Sequence, residues 1–300
     1  MSLNDFETVL KRSLGKFLTG VPVALRDSIE YSLLGAGKRI RPRLVQATSE
    51  LLNLPESAQH AAAVAIEMIH CYSLIHDDLP CLDNDDMRRG RPSNHKKFGE
   101  ATALLAGDAL TSLATESLLS AQGGSLKAEW ILAAIQRLSW ASGPRGMVGG
   151  QAAEAELNAH SSLADLKRMH AGKTGALFVA SILMPADLSG ISEATSQGQC
   201  LLELAQRMGS AFQVADDLED VHEMADPAKA MLSVLTHLSA AEASRLEIAQ
   251  LQASKVQLSR LFDASRCTAL LKICDEVIRK LEEAAVSANT QAKVQGSARS

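Results

Sequence analysis

The stretch Ala61–Arg89 reads AAAVAIEMIHCYSLIHDDLPCLDNDDMRR and changes character at Asp77. Before that point apolar residues recur three and four apart, the period of an α-helix. After it come further aspartates, a proline and two arginines. A long apolar helix ending in carboxylates predicts a helical protein whose chemistry lies at a helix end. The rest of the chain agrees. It is rich in Ala and Leu, only 3% aromatic, and Leu201–Val214 repeats the helical period. No convincing alternating strand and no Asn-Gly or Asp-Gly hairpin interrupts the pattern. The expectation is roughly ten helices in a single all-α domain over residues 1–300, with the tail from about Ser287 frayed.

Local punctuation places several helix ends. Pro42 opens a run that ends near Leu52. Ser162 with Asp165, and Ser239 with Glu242, have capping-box spacing. Asp226–Pro227 reads as an N-cap followed by proline at the first helical position. Pro185 and the Asp187–Gly190 region separate two helices, and Asn84–Lys97 is the most polar long loop.

Bulk properties exclude several classes. Hydrophobic residues make up 46% of 300, enough for a sizeable core. Thirty basic and 35 acidic residues leave a net charge of −5, which gives no general reason to bind nucleic acid or a membrane surface. Cys71, Cys81, Cys200, Cys267 and Cys274 form no CxxC pair, as expected of reduced thiols in the cytoplasm. The N-terminus lacks the apolar core of a signal peptide. The longest run free of Lys, Arg, Asp and Glu, Thr174–Ala186, is too short to span a bilayer.

Two acidic segments carry the chemistry. In FQVADDLED, Asp216 and Asp220 are four apart, so they share a helix face about 6 Å apart along the axis. Asp217 flanks them, and Gln213 lies one turn earlier. In HDDLPCLDNDD, Asp77 and Asp78 close an apolar helix, while Asp83 follows Asp77 by six residues, which an unbroken helix would send to another face. Pro80 distorts that helix and lets Asp83 swing back. Either segment alone reads most simply as a solvated helix face. Two of them, each ending an apolar helix, point to a pair of Mg²⁺-binding patches, since Mg²⁺ takes oxygen ligands from few carboxylates, water and substrate phosphates. Arg88 and Arg89, just after the first patch, suit phosphate oxygens. So do Lys38, Arg39, Arg41 and Arg43 at the helix start GAGKRIRPR, and Lys173 and Thr174 in HAGKTGAL, although the latter is not a P-loop. Histidines and cysteines lack zinc-ligand spacing.

The stretch from Glu67 to Ala101, together with GKRIRP, GDAL (Gly107–Leu110), GGQAAE (Gly149–Glu154), HAGKTGAL and FQVADDLED, resembles the short-chain trans-isoprenyl diphosphate synthases in order and spacing, most of all their bacterial farnesyl diphosphate (geranyltranstransferase) branch. That resemblance implies an isoprenoid-synthase helical bundle with a central cavity, acting as a homodimer. It implies that Asp77, Asp78, Asp83, Asp216, Asp217 and Asp220 bind about three Mg²⁺ ions when substrate is present. It implies that Arg88, Lys173, Thr174 and Gln213 hold an allylic diphosphate, with Arg88 and Lys173 catalytic. Gly37, Lys38, Arg41, His70 and Arg89 would hold isopentenyl diphosphate. Tyr72 and Ser73 stand where bulky residues floor the cavity, so the implied product has fifteen carbons.

The chain departs from the pattern after Asp220. The longer loop with two lysines usual in the family is short here; Lys229 aligns with the second lysine, and the first, with about ten neighbours, is missing. Asn84 replaces an acid often found at its position. Geranyl or geranylgeranyl diphosphate synthesis, and a catalytically weak regulatory subunit, remain as alternatives. A terpene cyclase is disfavoured by the low aromatic content.

Overall fold

A computed structural model describes residues 3–122, 126–158, 160–220 and 230–297. Among these residues the chain forms α1 (Leu3–Phe17), α2 (Val23–Leu33), α3 (Ile40–Leu51), α4 (Glu56–Asp77), α5 (Asn94–Phe98), α6 (Glu100–Leu119) and α7 (Ala128–Ser142). There follow α8 (Met147–Glu154), α9 (Leu163–His170), α10 (Ala176–Leu188), α11 (Ser196–Glu219), α12 (Ala240–Leu261) and α13 (Ala264–Ser297). Short helices such as α5, α8 and α9 span too few turns to show a period, which explains why the sequence suggests fewer.

The local expectations meet different outcomes. Both capping boxes form, Ser162 with Asp165 and Ser239 with Glu242. Pro185 does not end its helix: it sits in the last turn of α10, where a lost N–H costs one bond, and the break comes at Gly190 with φ +78°. Asp226–Pro227 lies outside the described residues. The backbone of α13 runs on to Ser297, past Ser287.

The helices wrap two apolar clusters, and α10 feeds both. The first joins α1, α2, α4, α6 and α7; the second joins α3, α11, α12 and α13. Helix α10 is apolar all round and buried at every position except Asp187. Leu177 and Met184 feed the first cluster, and Phe178 and Ile182 the second. A helix with no polar face has to be central. Each fully buried Leu, Ile or Phe stabilises by about 1.5–3 kcal/mol. The Ala61–Ala65 run lets α4 lie close to α6, and Ser117 Oγ donates to Ala61 O at 2.9 Å. No helix among the described residues is long and apolar enough to cross a membrane.

Arg39 ties the first helices together. It precedes α3 in the left-handed region, φ 47°, with its side chain only 1% exposed. Its guanidinium donates to Glu7 at 2.8 Å, to Leu33 O at 2.9 Å, to Gly35 O at 2.8 Å, and to the buried Glu67 of α4. The sequence groups Arg39 with the other basic residues of its segment, but its donors are already committed to the scaffold.

Candidate active site

The first acidic segment folds back on itself. Asp77 ends α4, and Asp83 N–H donates to Asp77 O at 2.9 Å. Asn84, at φ +53°, donates to Leu79 O at 3.1 Å. The turn after Pro80 thus returns Asp83 to Asp77. Burial pushes the Asp77 carboxyl up to about 6; Lys173 opposes this and Asp83 adds to it.

A hairpin follows, where the sequence shows no strand. Met87–Arg88 pairs antiparallel with Arg91–Pro92 around Arg89 (φ +53°) and Gly90 (φ +74°). Two positive φ values mark the type I′ geometry that Asn-Gly usually fills, so an Arg-Gly turn carries no such signal. The hairpin sends its two arginines to different places. Arg88 Nε donates to Asp78 Oδ1 at 2.9 Å, and Nη2 reaches Asp78 and, at 3.1 Å, Asp85. Asp78, 2% exposed, is therefore paired with Arg88. Arg89 lies over Gly37 so closely that a Cβ there would stand 2.8 Å from its Nη1.

The second acidic segment closes α11. Asp216 accepts from Lys280 of α13. Asp217 is held by neutral donors: Gln213 Nε2 at 2.9 Å, Ser233 Oγ at 3.0 Å and Val234 N–H at 2.8 Å. Thr174 Oγ1 donates to Gln213 Oε1 at 2.7 Å, so Thr174, Gln213 and Asp217 form one chain of hydrogen bonds. Burial raises the Asp216 carboxyl above its ordinary range, against the pull of Lys280.

Lys173 and Thr174 ride on a π-helical turn, Ala171–Gly175, between α9 and α10. The turn packs on α8 with almost no gap: a Cβ on Gly150 would lie 2.0 Å from Lys173 N. Only glycine fits there. Lys173 Nζ donates to Glu154 Oε2 at 2.5 Å. The motifs GGQAAE and HAGKTGAL are thus two sides of one contact.

Two cavities that share Asp216 in their walls result. One, about 530 Å³, is lined by Asp83, Glu154, Lys173, Gln213, Asp216 and Asp220. The other, about 620 Å³, gathers Gly37, Lys38, Arg41, His70, Arg89 and Thr174, and its wall includes Asp216. Arg41 is buried, its guanidinium carbon 5.1 Å from the Phe178 ring centroid, and burial lowers it to about 10. Its Nη1 stands 3.4 Å from His70 Nε2. Arginine only donates, so Nε2 is the acceptor and the ring proton belongs on Nδ1. Burial, then the facing Arg41 and Arg89, hold His70 well below the usual histidine range, hence neutral.

Tyr72 sits five residues before Asp77, 8% exposed, its ring edge-on to His76 with centroids 5.3 Å apart. Ser73 Oγ donates to His70 O at 2.9 Å. Lys229, and with it segment 221–229, lies outside the described residues. Sequence reasoning missed Glu154, which GGQAAE contained without a stated role, and Lys280, for which no motif gives a signal.

An all-helical bundle with an acidic cavity opening beside a basic one is the isoprenoid synthase type of fold. The polyprenyl synthetase profile matches residues 22–274, and the chain belongs to that family and is a trans-prenyltransferase. It is 40% identical over 222 residues to the farnesyl diphosphate synthase of Geobacillus stearothermophilus, covering 73% of this chain and 74% of that one. It is 43% identical over 202 residues to the chloroplastic geranylgeranyl pyrophosphate synthase of Capsicum annuum, 67% of this chain but only 54% of that one. Among solved structures it resembles the geranyltransferase of Legionella pneumophila, with TM-score 0.81, 32% identity, and 93% and 96% of the two chains covered. An FPP/GFPP synthase from Zymomonas mobilis gives TM-score 0.79 at 37% identity, with 92% and 98% covered.

Proposed function

We propose that the protein joins isopentenyl diphosphate to dimethylallyl or geranyl diphosphate, releasing diphosphate and forming farnesyl diphosphate, with Mg²⁺ as cofactor. The observation that carries this is the shared wall: Asp216 borders both the acidic and the basic cavity, so two diphosphates bound in them would lie side by side. The donor set fits Mg²⁺. It is all oxygen, the ligand type Mg²⁺ takes from carboxylates, water and phosphate. The carboxylates of Asp77 and Asp216, raised by burial, favour an added positive charge. In this reading Asp77, Asp83, Asp216 and Asp220 hold the metal, about three ions with substrate, and Asp78 and Asp217 brace the two patches. Bound there, Mg²⁺ supplies positive charge for the departing diphosphate.

The chain's own groups divide the remaining work. Lys173, Gln213, Thr174, Arg88 and Lys229 are assigned to the allylic diphosphate by their motifs; Lys173 and Gln213 line the acidic cavity, Thr174 lines the neighbouring basic one, and Arg88 reaches the site through Asp78 and Asp85. Lys173 and Arg88 stabilise the charge that builds up as the allylic C–O bond breaks and its electron pair leaves with diphosphate. Gly37, Lys38, Arg41, His70 and Arg89 hold isopentenyl diphosphate with its double bond toward the forming cation. That bond attacks, and the released diphosphate accepts the proton lost from the adduct.

Tyr72 supports the fifteen-carbon product. The similarity to a geranylgeranyl synthase supports a twenty-carbon one. The whole of residues 1–300 would act as one domain, as a cytoplasmic homodimer, with scattering mass twice 32.0 kDa. The test is to incubate the protein with Mg²⁺, isopentenyl diphosphate and dimethylallyl or geranyl diphosphate, then size the dephosphorylated products. A fifteen-carbon alcohol is expected. A twenty-carbon alcohol selects the second reading, and no elongation leaves only a catalytically weak subunit.

A further inference from the structure

Lys280 enters the site from α13, 64 residues after Asp216. Its ammonium donates to Asp216 Oδ1 and stands 3.2 Å from Glu219 Oε2. It also lies 4.4 Å from the ring centroid of Phe212, which lines the basic cavity with Asp216. Only 18% of the side chain is exposed. Asp217, the neighbouring carboxylate, is held by amide, hydroxyl and backbone N–H groups instead. Thus the carboxylate facing both cavities is the one paired with a lysine ammonium.

An ammonium and a divalent cation on one carboxylate repel each other strongly at such range. Lysine has a flexible four-carbon stem and can withdraw, unlike a backbone donor. The Phe212 ring gives that stem and its charge a resting surface off the carboxylate.

We infer that Lys280 is an exchangeable counter-ion of the second acidic patch: it occupies Asp216 in the substrate-free protein and must release it before a divalent cation binds there. This rests on reading Asp216 as a metal-binding carboxylate. The exchange weakens cation binding in the absence of substrate, so the patch fills only when a diphosphate brings its own oxygens. The second patch is thereby protected from loading with free cation.

Mn²⁺ is the probe, with free ion followed by electron paramagnetic resonance and no turnover required. Lys280→Met keeps the stem and removes the charge. It is expected to bind Mn²⁺ about two- to fivefold more tightly than the parent, the scale of one partly exposed ion pair. Lys280→Arg, which keeps the charge, is expected to bind like the parent. Adding Asp216→Asn to Lys280→Met should abolish the gain. Equal or weaker binding by Lys280→Met with an unchanged helical circular dichroism spectrum overturns the inference, as does a gain that survives Asp216→Asn. Should Lys280→Met not fold, Lys280→Gln carries the same comparison. A parent that binds no Mn²⁺ even with inorganic pyrophosphate present refutes the metal reading itself, a result separate from the failure of the exchange.

Discussion

Gly150→Ala places a methyl where two backbones meet. Its Cβ would lie 2.0 Å from Lys173 N and 2.6 Å from Lys173 Cα. Ordinary contact begins near 3.5 Å, so α8 and the π turn must part by about 1.5 Å. The clashing atoms are main chain and cannot rotate away. Overpacking of this kind costs about 1–3 kcal/mol, and each kcal/mol lowers Tm by about 2–4 °C in a chain of this size. Activity should suffer more. Lys173 and Thr174 ride on the displaced segment, and a 1 Å misplacement of positioning groups costs about 100-fold. The expected result is a Tm lower by about 2–12 °C and a kcat/KM lower by about 100-fold, measured by calorimetry and by product formation. Gly15→Ala is the matched control: its Cβ would meet nothing within 4 Å on α1, so it should stabilise by about 0.5–1 kcal/mol. A Gly150→Ala protein with parental Tm and activity would refute the close-contact argument.

Arg39→Met should destabilise by about 3–5 kcal/mol in urea titration, because it leaves the buried Glu67 unpaired; a loss below about 1 kcal/mol would mean that the cluster is not a scaffold. Tyr72→Ala should lengthen the product on chromatography of the dephosphorylated alcohols, and an unchanged length sinks the cavity-floor reading. At pH 8 a maleimide should label the exposed Cys81 and spare Cys71 and Cys274, whose thiols burial pushes up to about 12; mass spectrometry of the peptides decides it. His70 is held low in the folded state, so the unfolded chain binds the extra proton first, and stability must fall as pH drops through the ordinary histidine range. The fall in urea midpoint from pH 8 to 5 should be smaller in His70→Gln, and an identical fall contradicts the assignment.

Much of this was legible because it is local. The period of Ala61–Leu74 predicts α4, and serine–acid spacing predicts two caps that form as drawn. Lys38, Arg41, His70 and Arg89 share a cavity, as the family resemblance implies. What escaped depends on distance or on backbone choice. The role of Arg39 is set by a left-handed φ and by Glu7 and Glu67, which come from two other helices. The hairpin at Arg89–Gly90 uses a residue without turn preference. Glu154 acquires a partner only when α8 meets the π turn, and Lys280 only when the last helix returns to α11. No window of adjacent residues contains such contacts.

The π turn at Ala171–Gly175 also limits how this chain can change over generations. It holds one residue more than an α-turn, so a deletion there would restore a regular helix and look harmless in an alignment. Yet it would remove the wide turn that sets Lys173 against Glu154 and Thr174 against Gln213. It would also draw in α10, which is buried at every position except Asp187. The segment is closed to shortening, and its length should be among the most faithfully inherited features of the site.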